Sequence, residues 1–573
     1  MAGYKLSETK SNKVVYIREK KDMVRESREI VSKLATLSGS KALNVILDHD
    51  NPGELVQSMT KVDLFWLIKK VGEDDAYPLL SLASIEQWQY IMDMETWERD
   101  RLNRVVTFNW INRLLKADPE RLIPYLYSDD GNMLSHLFFT GLLDIRVKED
   151  DDFMPPEGFI TFDNLFYIGI GDKENAEDIE QLLRNMALYD HNRFQALLLG
   201  LQGTLPAEIE DEMYRLKGVR LAEEGYLPFE EAVSVYAYQN AELLKKDSSE
   251  YILNTPGDED TRGLVPITPF ITVQEANLFS VAVSGINDYL LLDRLRLEFA
   301  GLCNQIFSAD GISFESADDL IRICKKAGGY ISTGLEKLTG GDIEAARDFL
   351  KNHPLITIFR TGFSQALELR WKAERWVETS WFDRMELGNE FWGDEWAGIL
   401  DGILLTKPML YSEIMEKVSY RDFASLDEVR ETDISLNRMI MLDKLLGALI
   451  PDRFIPQFSG EEYDPTFYQV LFTFWLGQVY SQNSDNCKLT LDEVKSAFSA
   501  LRAGAASPPY RMDSGREEFI KGLIVFIRTG DDEEKLFAEE TLSMLWDRFT
   551  DEYAMIDTDD LEPRYSGFVL IAE

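Results

Sequence analysis

The sequence is poor in the side chains from which metal centres and nucleophilic sites are built. Four histidines (His49, His136, His191, His353) and three cysteines (Cys303, Cys324, Cys487) are scattered over 573 residues. No two histidines stand four apart, so a histidine-based metal site has no local frame. With no CxxC pair, the cysteines make no disulfide framework, and each sits among apolar or helical residues where a free thiol simply packs. The phosphate-cradling GxxxxGK[ST], the dinucleotide GxGxxG, the GxSxG elbow and HExxH are all missing. No transition metal and no cofactor is expected.

Positive charge and long apolar runs are scarce as well. Lys and Arg number 60 against 101 Asp and Glu, for a net charge of −41. A field of that sign repels phosphate backbones and anionic lipid, which argues against nucleic acid as a partner and against membrane surfaces. Residues 1–33 are the exception, with nine Lys/Arg and five Asp/Glu. The run Val14–Ile17 is far too short for a signal-peptide core. The most apolar window, Tyr468–Tyr480, contains Gln and Gly and falls short of the roughly 20 residues of a bilayer span. A cytoplasmic location without membrane insertion is therefore expected. The 45% hydrophobic and 12% aromatic content suffices for packed cores, and the length implies several domains.

Hydrophobic periodicity divides the chain. After a basic arm (1–40), residues 41–148 read as short amphipathic helices. Helix starts fall at Asn51-Pro52-Gly53-Glu54, Thr60-Lys61-Val62-Asp63, Ser84-Ile85-Glu86-Gln87 and Asp118-Pro119-Glu120, and Gly72 supplies a stop. Such helices cannot bury their faces alone, so stacking into a superhelical repeat is expected. A middle domain (149–262) opens with the acidic run Glu149–Asp152 and Pro155-Pro156, then a strand-like stretch at 159–170. Residues 263–573 read as a larger helical domain, with a β-like piece at 264–273 and an edge strand in the tail at Gly567–Ile571. Capping-box patterns recur at Thr272–Glu275, Ser425–Glu428, Thr490–Glu493 and Ser514–Glu517, and Leu292, Leu295, Phe299, Leu302 and Ile306 mark a core helix. The fold class expected is mainly α, multidomain, with minor β segments.

Two resemblances arise on these residues. Residues 50–95, with acids at helix starts and Leu/Ile/Val stripes, resemble the N-terminal helical repeat domain of bacterial E-type magnesium transporters, a cytosolic regulatory domain; the resemblance implies an acidic metal-sensing surface. The segments Glu210–Arg215, Arg220–Tyr226 and Glu230–Ala232 are similar to an uncharacterised bacterial domain-of-unknown-function family, which implies a bacterial cytoplasmic protein and no particular activity.

Three places invite a functional reading beside a structural one. His49, between Asp48 and Asp50, reads best as a loop residue at a helix entry, and Gln482–Glu493 as a polar loop rather than a calcium loop, because Gln482 and Cys487 stand where a carboxylate and a glycine are wanted. Trp371–Trp396 holds five tryptophans interleaved with acids, among them Glu374, Glu378, Asp383, Glu390, Asp394 and Glu395. Rings beside carboxylates could cradle a cation or sugar, yet the helical spacing of Trp392, Glu395 and Trp396 favours large rings filling a core or a subunit contact. The segment Glu208–Glu231 carries a basic island, Arg215, Lys217 and Arg220, suited to an anionic ligand or to charge pairing on an interdomain helix. The expected function is that of a protein-interaction, scaffold or regulatory protein that binds a protein partner or its own copies. The alternative is a ligand sensor or enzyme with its site near Trp371–Trp396 or Arg215–Arg220.

Overall fold

The computed structural model describes residues 28–572 except 99, 149, 151, 204–205, 247–265, 273–276, 312–316, 415–416, 451–464, 481–487, 503–506, 528–530 and 563–565. The protein is mainly α, with three two-stranded antiparallel sheets among the described residues. It splits into two compact units, Met1–Thr361 and Gly362–Glu573, and the division falls inside one continuous helix, Leu355–Val377.

In the first unit the expected short helices are present: α1 (Gly39–Leu47), α2 (Pro52–Ser58), α3 (Lys61–Val71), α4 (Tyr77–Leu82), α5 (Ile85–Glu95), then, after the hairpin β1 (Trp97–Glu98) and β2 (Arg101–Leu102), α6 (Arg104–Ala117), α7 (Pro119–Leu126) and α8 (Asp129–Phe139). Their ends follow the local chemistry. Thr60 caps α3 by accepting from the Asp63 amide, and Gly72 ends it at φ 101°. Ser84 and Gln87 form a complete capping box on α5. The Gln87 amide also donates to the carbonyls of Val56 (2.9 Å) and Met59 (3.0 Å), tying α5 to the end of α2. The Trp88 indole donates to Leu80 O at 2.9 Å, so one buried ring locks α4 to α5.

The strand-like stretch at 159–170 resolves into β4 (Phe166–Ile170) and a bridge from Ile160 to Ile168. Its partner β3 (Leu143–Val147) pairs Leu143 with Ile170 and Val147 with Phe166, and was not anticipated. The signal was present, since Leu-Asp-Ile-Arg-Val alternates apolar and charged residues. Helices α9 (Ala176–Tyr189), α10 (His191–Gly203) and α11 (Pro206–Glu223) follow, then α12 (Phe229–Ala232), a 3-10 turn Val233–Tyr236 and α13 (Ala241–Lys246).

The β-like reading of 264–273 is corrected over the described residues 266–272, where α14 (Thr268–Thr272) is helical. Pro269 stands in the first turn, where its missing N–H costs nothing. The amides of Ile267 and Thr268 both donate to the buried Asp63 carboxylate, at 3.0 and 2.8 Å, which holds the helix start. Farther on, the heptad residues Leu295, Phe299, Leu302 and Ile306 are buried on α15 (Tyr289–Asp310), as their spacing predicts. Beside it runs α16 (Ala317–Thr339).

The second unit begins in the last turns of Leu355–Val377 and continues with α17 (Trp381–Arg384), α18 (Gly393–Leu404), the hairpin β5 (Leu410–Ile414) and β6 (Lys417–Arg421), α19 (Leu426–Leu449), α20 (Phe467–Tyr480), α21 (Leu491–Leu501), α22 (Asp513–Ile524) and α23 (Asp532–Tyr553). Thr490 and Glu493 form a complete capping box, and Ser425 caps α19. The pattern at 514–517 does not mark the helix start: α22 begins at Asp513, so position 514 lies inside it and an acid leads the first turn. The Thr272–Glu275 pattern lies outside the described residues beyond Thr272, as do residues 482–487 of the loop weighed for calcium. The tail engages as a single parallel bridge, Ile571 to Leu489.

The β5–β6 hairpin packs its rings on glycines of α18. A Cβ on Gly398 would sit 2.2 Å from the Tyr411 ring, and one on Gly402 would sit 2.8 Å from Met409 O. Alanine at Gly398 would gain about 1 kcal/mol of helix propensity. The overlap with a packed ring should cost about 1–3 kcal/mol, so we expect Gly398→Ala to lower the melting temperature. A raised melting temperature would show that Tyr411 moves aside freely.

Candidate functional site

The Trp-rich segment separates rings from acids. Trp376, Trp381, Trp392 and Trp396 are buried, and only Trp371 of the five is exposed, at 39%. Trp396 stacks on Phe467 at 5.0 Å and 11°, and Trp392 lies 5.4 Å from the same ring and edge-on to Phe382. Asp394 and Glu395, by contrast, face solvent, and Glu395 is paired with Arg548 at 2.9 Å. Arg548 also donates to the Tyr468 hydroxyl at 2.7 Å. Among the described residues, Asp443 on α19 reaches the ring cluster from inside. It accepts from the amides of Trp381 and Phe382, both at 3.0 Å, and from the Trp376 indole at 3.3 Å. That geometry fixes the start of α17 and commits three of the acid's lone pairs to the protein itself.

The basic island on α11 is more unusual. Arg215 points outward and pairs with Glu212 at 2.7 Å. Arg220 turns inward and grips Asp93 of α5 with two hydrogen bonds, 2.7 and 2.9 Å. The two arginines are thus not brought together, and each is neutralised by an acid. Lys217 lies between them along the helix and behaves differently. Its ammonium sits 5.2 Å from the centre of the Trp97 ring and 5.6 Å from that of Tyr214, and no carboxylate or carbonyl among the described residues accepts from it. Burial pushes the Lys217 ammonium down to about 8, against a smaller upward pull from Asp93. The hairpin that carries Trp97 is held to the same helix, because Leu102 N donates to Glu210 at 2.9 Å.

Behind this cradle the interior stays polar. Tyr90 and Tyr226 share a buried hydroxyl contact of 3.1 Å, and burial drives both phenols upward. Lys61 pairs with Glu224 at 3.1 Å. Cys303 on α15 and Cys324 on α16 are buried with their sulfurs 3.8 Å apart, and burial drives the Cys324 thiol upward. Such packed thiols are inert rather than nucleophilic.

Two features of this arrangement escape the sequence. Asp93 and Trp97 lie more than a hundred residues from Lys217, and nothing local ties them to it. Tyr214 and Lys217 stand three apart, a spacing that places them on one helix face and could have been read. The remaining histidines do not converge: His49 Nδ1 accepts from Asn51 N at 3.1 Å in a helix-entry turn, and His136 packs on Gly200. Among the described residues no group of three His, Cys, Asp or Glu is placed to hold a metal ion, and no helix is long and apolar enough to cross a membrane.

Residues 19–572 match a family of unknown function, DUF6178. The chain belongs to that family. No curated protein and no solved structure matches this DUF6178 member. Its likeness over residues 50–95 to the magnesium-transporter repeat domain gains no support from these comparisons. The helices α2 to α5 do occupy that stretch.

Proposed function

We propose that the protein acts in the cytoplasm by binding another protein, as a scaffold or regulator, through exposed helix surfaces. One observation carries this reading. Between Phe229 and Leu243 the chain exposes Phe229 (56%), Val233, Tyr238 and Leu243 (66%), and exposed acids, Glu230, Glu231 and Glu242, are interspersed among them. Apolar side chains gathered on an otherwise charged surface mark contact sites more often than isolated ones do.

Charge selects the occupant. A second copy would bring another net charge of −41 and its own Glu230 and Glu231 to this surface, where Glu242 is already paired with Lys245. A partner whose apolar residues are flanked by Lys and Arg meets complementary charge instead. A basic amphipathic segment of another protein is therefore favoured over self-association, and nucleic acid is disfavoured by the same field.

The test uses a helical Leu/Lys peptide as probe, followed by fluorescence anisotropy. Phe229→Asp combined with Leu243→Asp adds two negative charges. Purely electrostatic attraction would strengthen, whereas docking on the apolar residues should weaken by about ten-fold or more with no change in melting temperature. Equal or tighter binding by the double variant overturns the reading. The alternative, a ligand sensor or enzyme near Arg215–Arg220, is favoured by a separate observation, the amine of Lys217 held against two touching rings, Trp97 and Tyr214.

A further inference from the structure

Three buried or half-buried lysines of the first unit are held by oxygen atoms. Lys69 is paired with Glu73 (2.6 Å) and Glu95 (2.8 Å), Lys70 donates to the carbonyls of Leu34 and Ala35, and Lys326 is paired with Asp310 at 3.0 Å. In each case an oxygen accepts from the ammonium. Lys217 has only the faces of Trp97 and Tyr214, and the acid nearest in charge, Asp93, is already engaged by both arms of Arg220 and by Gln89 at 3.0 Å. The Tyr214 side of the cradle is open, since that residue is 44% exposed. The amine is thus desolvated, lacks an oxygen acceptor and is reachable from one side.

We propose that Lys217 is a carbonyl-trapping amine, and that the Trp97–Tyr214 cradle takes an aromatic aldehyde as a covalent imine. The Lys217 nitrogen lone pair adds to the carbonyl carbon to give a carbinolamine. Both amine hydrogens then leave with the carbonyl oxygen as one water molecule, and the C=N bond forms, with no oxidant or reductant needed. The two rings, in contact with each other at 5.6 Å on one side of the nitrogen, offer apolar surface for the aldehyde's own ring to pack on. The Arg220–Asp93 pair beside it is already neutral as a unit, so converting the ammonium to an uncharged imine leaves no buried charge without a counterion. A lysine desolvated among apolar groups is also the setting in which amines become nucleophilic near neutral pH, and the Lys217 position of about 8 agrees with this. This inference stands apart from the protein-binding reading, because it uses α5, the β1–β2 hairpin and α11 rather than the Phe229–Leu243 surface.

The test treats the full chain at pH 8 with limiting pyridoxal phosphate, traps the imine with borohydride and maps the labelled peptides. Lys217 should be labelled at least about ten-fold faster than a solvent-exposed lysine such as Lys521, which is paired with Glu517. Lys217→Arg, which keeps the charge over the rings, should abolish that label while preserving the melting curve. Tyr214→Ser separates chemistry from access. It opens the cradle to water, so labelling at Lys217 should slow by several-fold if desolvation activates the amine, and speed up if exposure alone governs. Label distributed over the lysines according to exposure, or faster labelling in Tyr214→Ser, overturns the proposal.

Discussion

Alanine at Trp396 is expected to destabilise the second unit by about 3–5 kcal/mol, the range for truncating a large buried ring. Trp396 is 2% exposed and stacks on Phe467, so its loss removes dispersion from both sides of a core that cannot collapse fully around the gap. Trp392 is as deeply buried, yet the expectation for it is smaller. Its indole N–H has no acceptor among the described residues, and an unmet buried donor costs about 1–3 kcal/mol. Removing the ring removes that penalty too, so Trp392→Ala should fall near the lower end, and Trp392→Phe should be close to neutral. Thermal and denaturant melts of the three variants rank these effects. Melts within a degree of the parent for Trp396→Ala would mean that the ring is not part of the core, and that the cation or sugar reading of the segment should be reopened.

The legible parts of this fold were those dictated by neighbours in sequence. Thr60, Ser84 and Thr490 each meet an amide three residues on, and Gly72 adopts a φ that other residues avoid, so helix boundaries could be read from a few letters. The β5–β6 hairpin was missed, because strand identity there depends on rings packing onto glycines of a preceding helix rather than on an alternating stripe. The piece at 264–273 misled for a related reason: its β-branched residues favour strand locally, while an acid some two hundred residues earlier collects the amides of Ile267 and Thr268. The same contrast governs the candidate site. The basic residues of α11 were visible as a group, but which of them is neutralised depends on Glu212, Asp93 and Trp97, and only the first is nearby in sequence.

Asp63 is one residue on which such long-range demands fall. Its carboxylate accepts from the Thr60 hydroxyl at 2.9 Å and from the amides of Ile267 and Thr268, all inside the first unit. Asp63→Ala would orphan two backbone donors at the start of α14, each costing about 1–3 kcal/mol, so a loss of about 2–5 kcal/mol is expected. Asp63→Asn keeps an acceptor oxygen but turns an NH2 toward donors, and should lose less. Protonation adds a second axis. Burial is the largest influence on Asp63 and drives its pKa above the ordinary 3.8, with hydrogen bonds from the Thr268 amide and hydroxyl, the Thr60 hydroxyl and the Ile267 amide opposing. The folded state then holds the proton more tightly than the unfolded chain does. The stability contributed by the protonated acid is present below 3.8 and is lost as pH rises through the higher folded value. The stability gap between the parent and Asp63→Asn should therefore be widest near pH 4 and narrow toward neutrality, as read from urea unfolding at a series of pH values. A gap that widens with pH would show the amides of Ile267 and Thr268 outweighing burial, with Asp63 acting as an ionised anchor for α14.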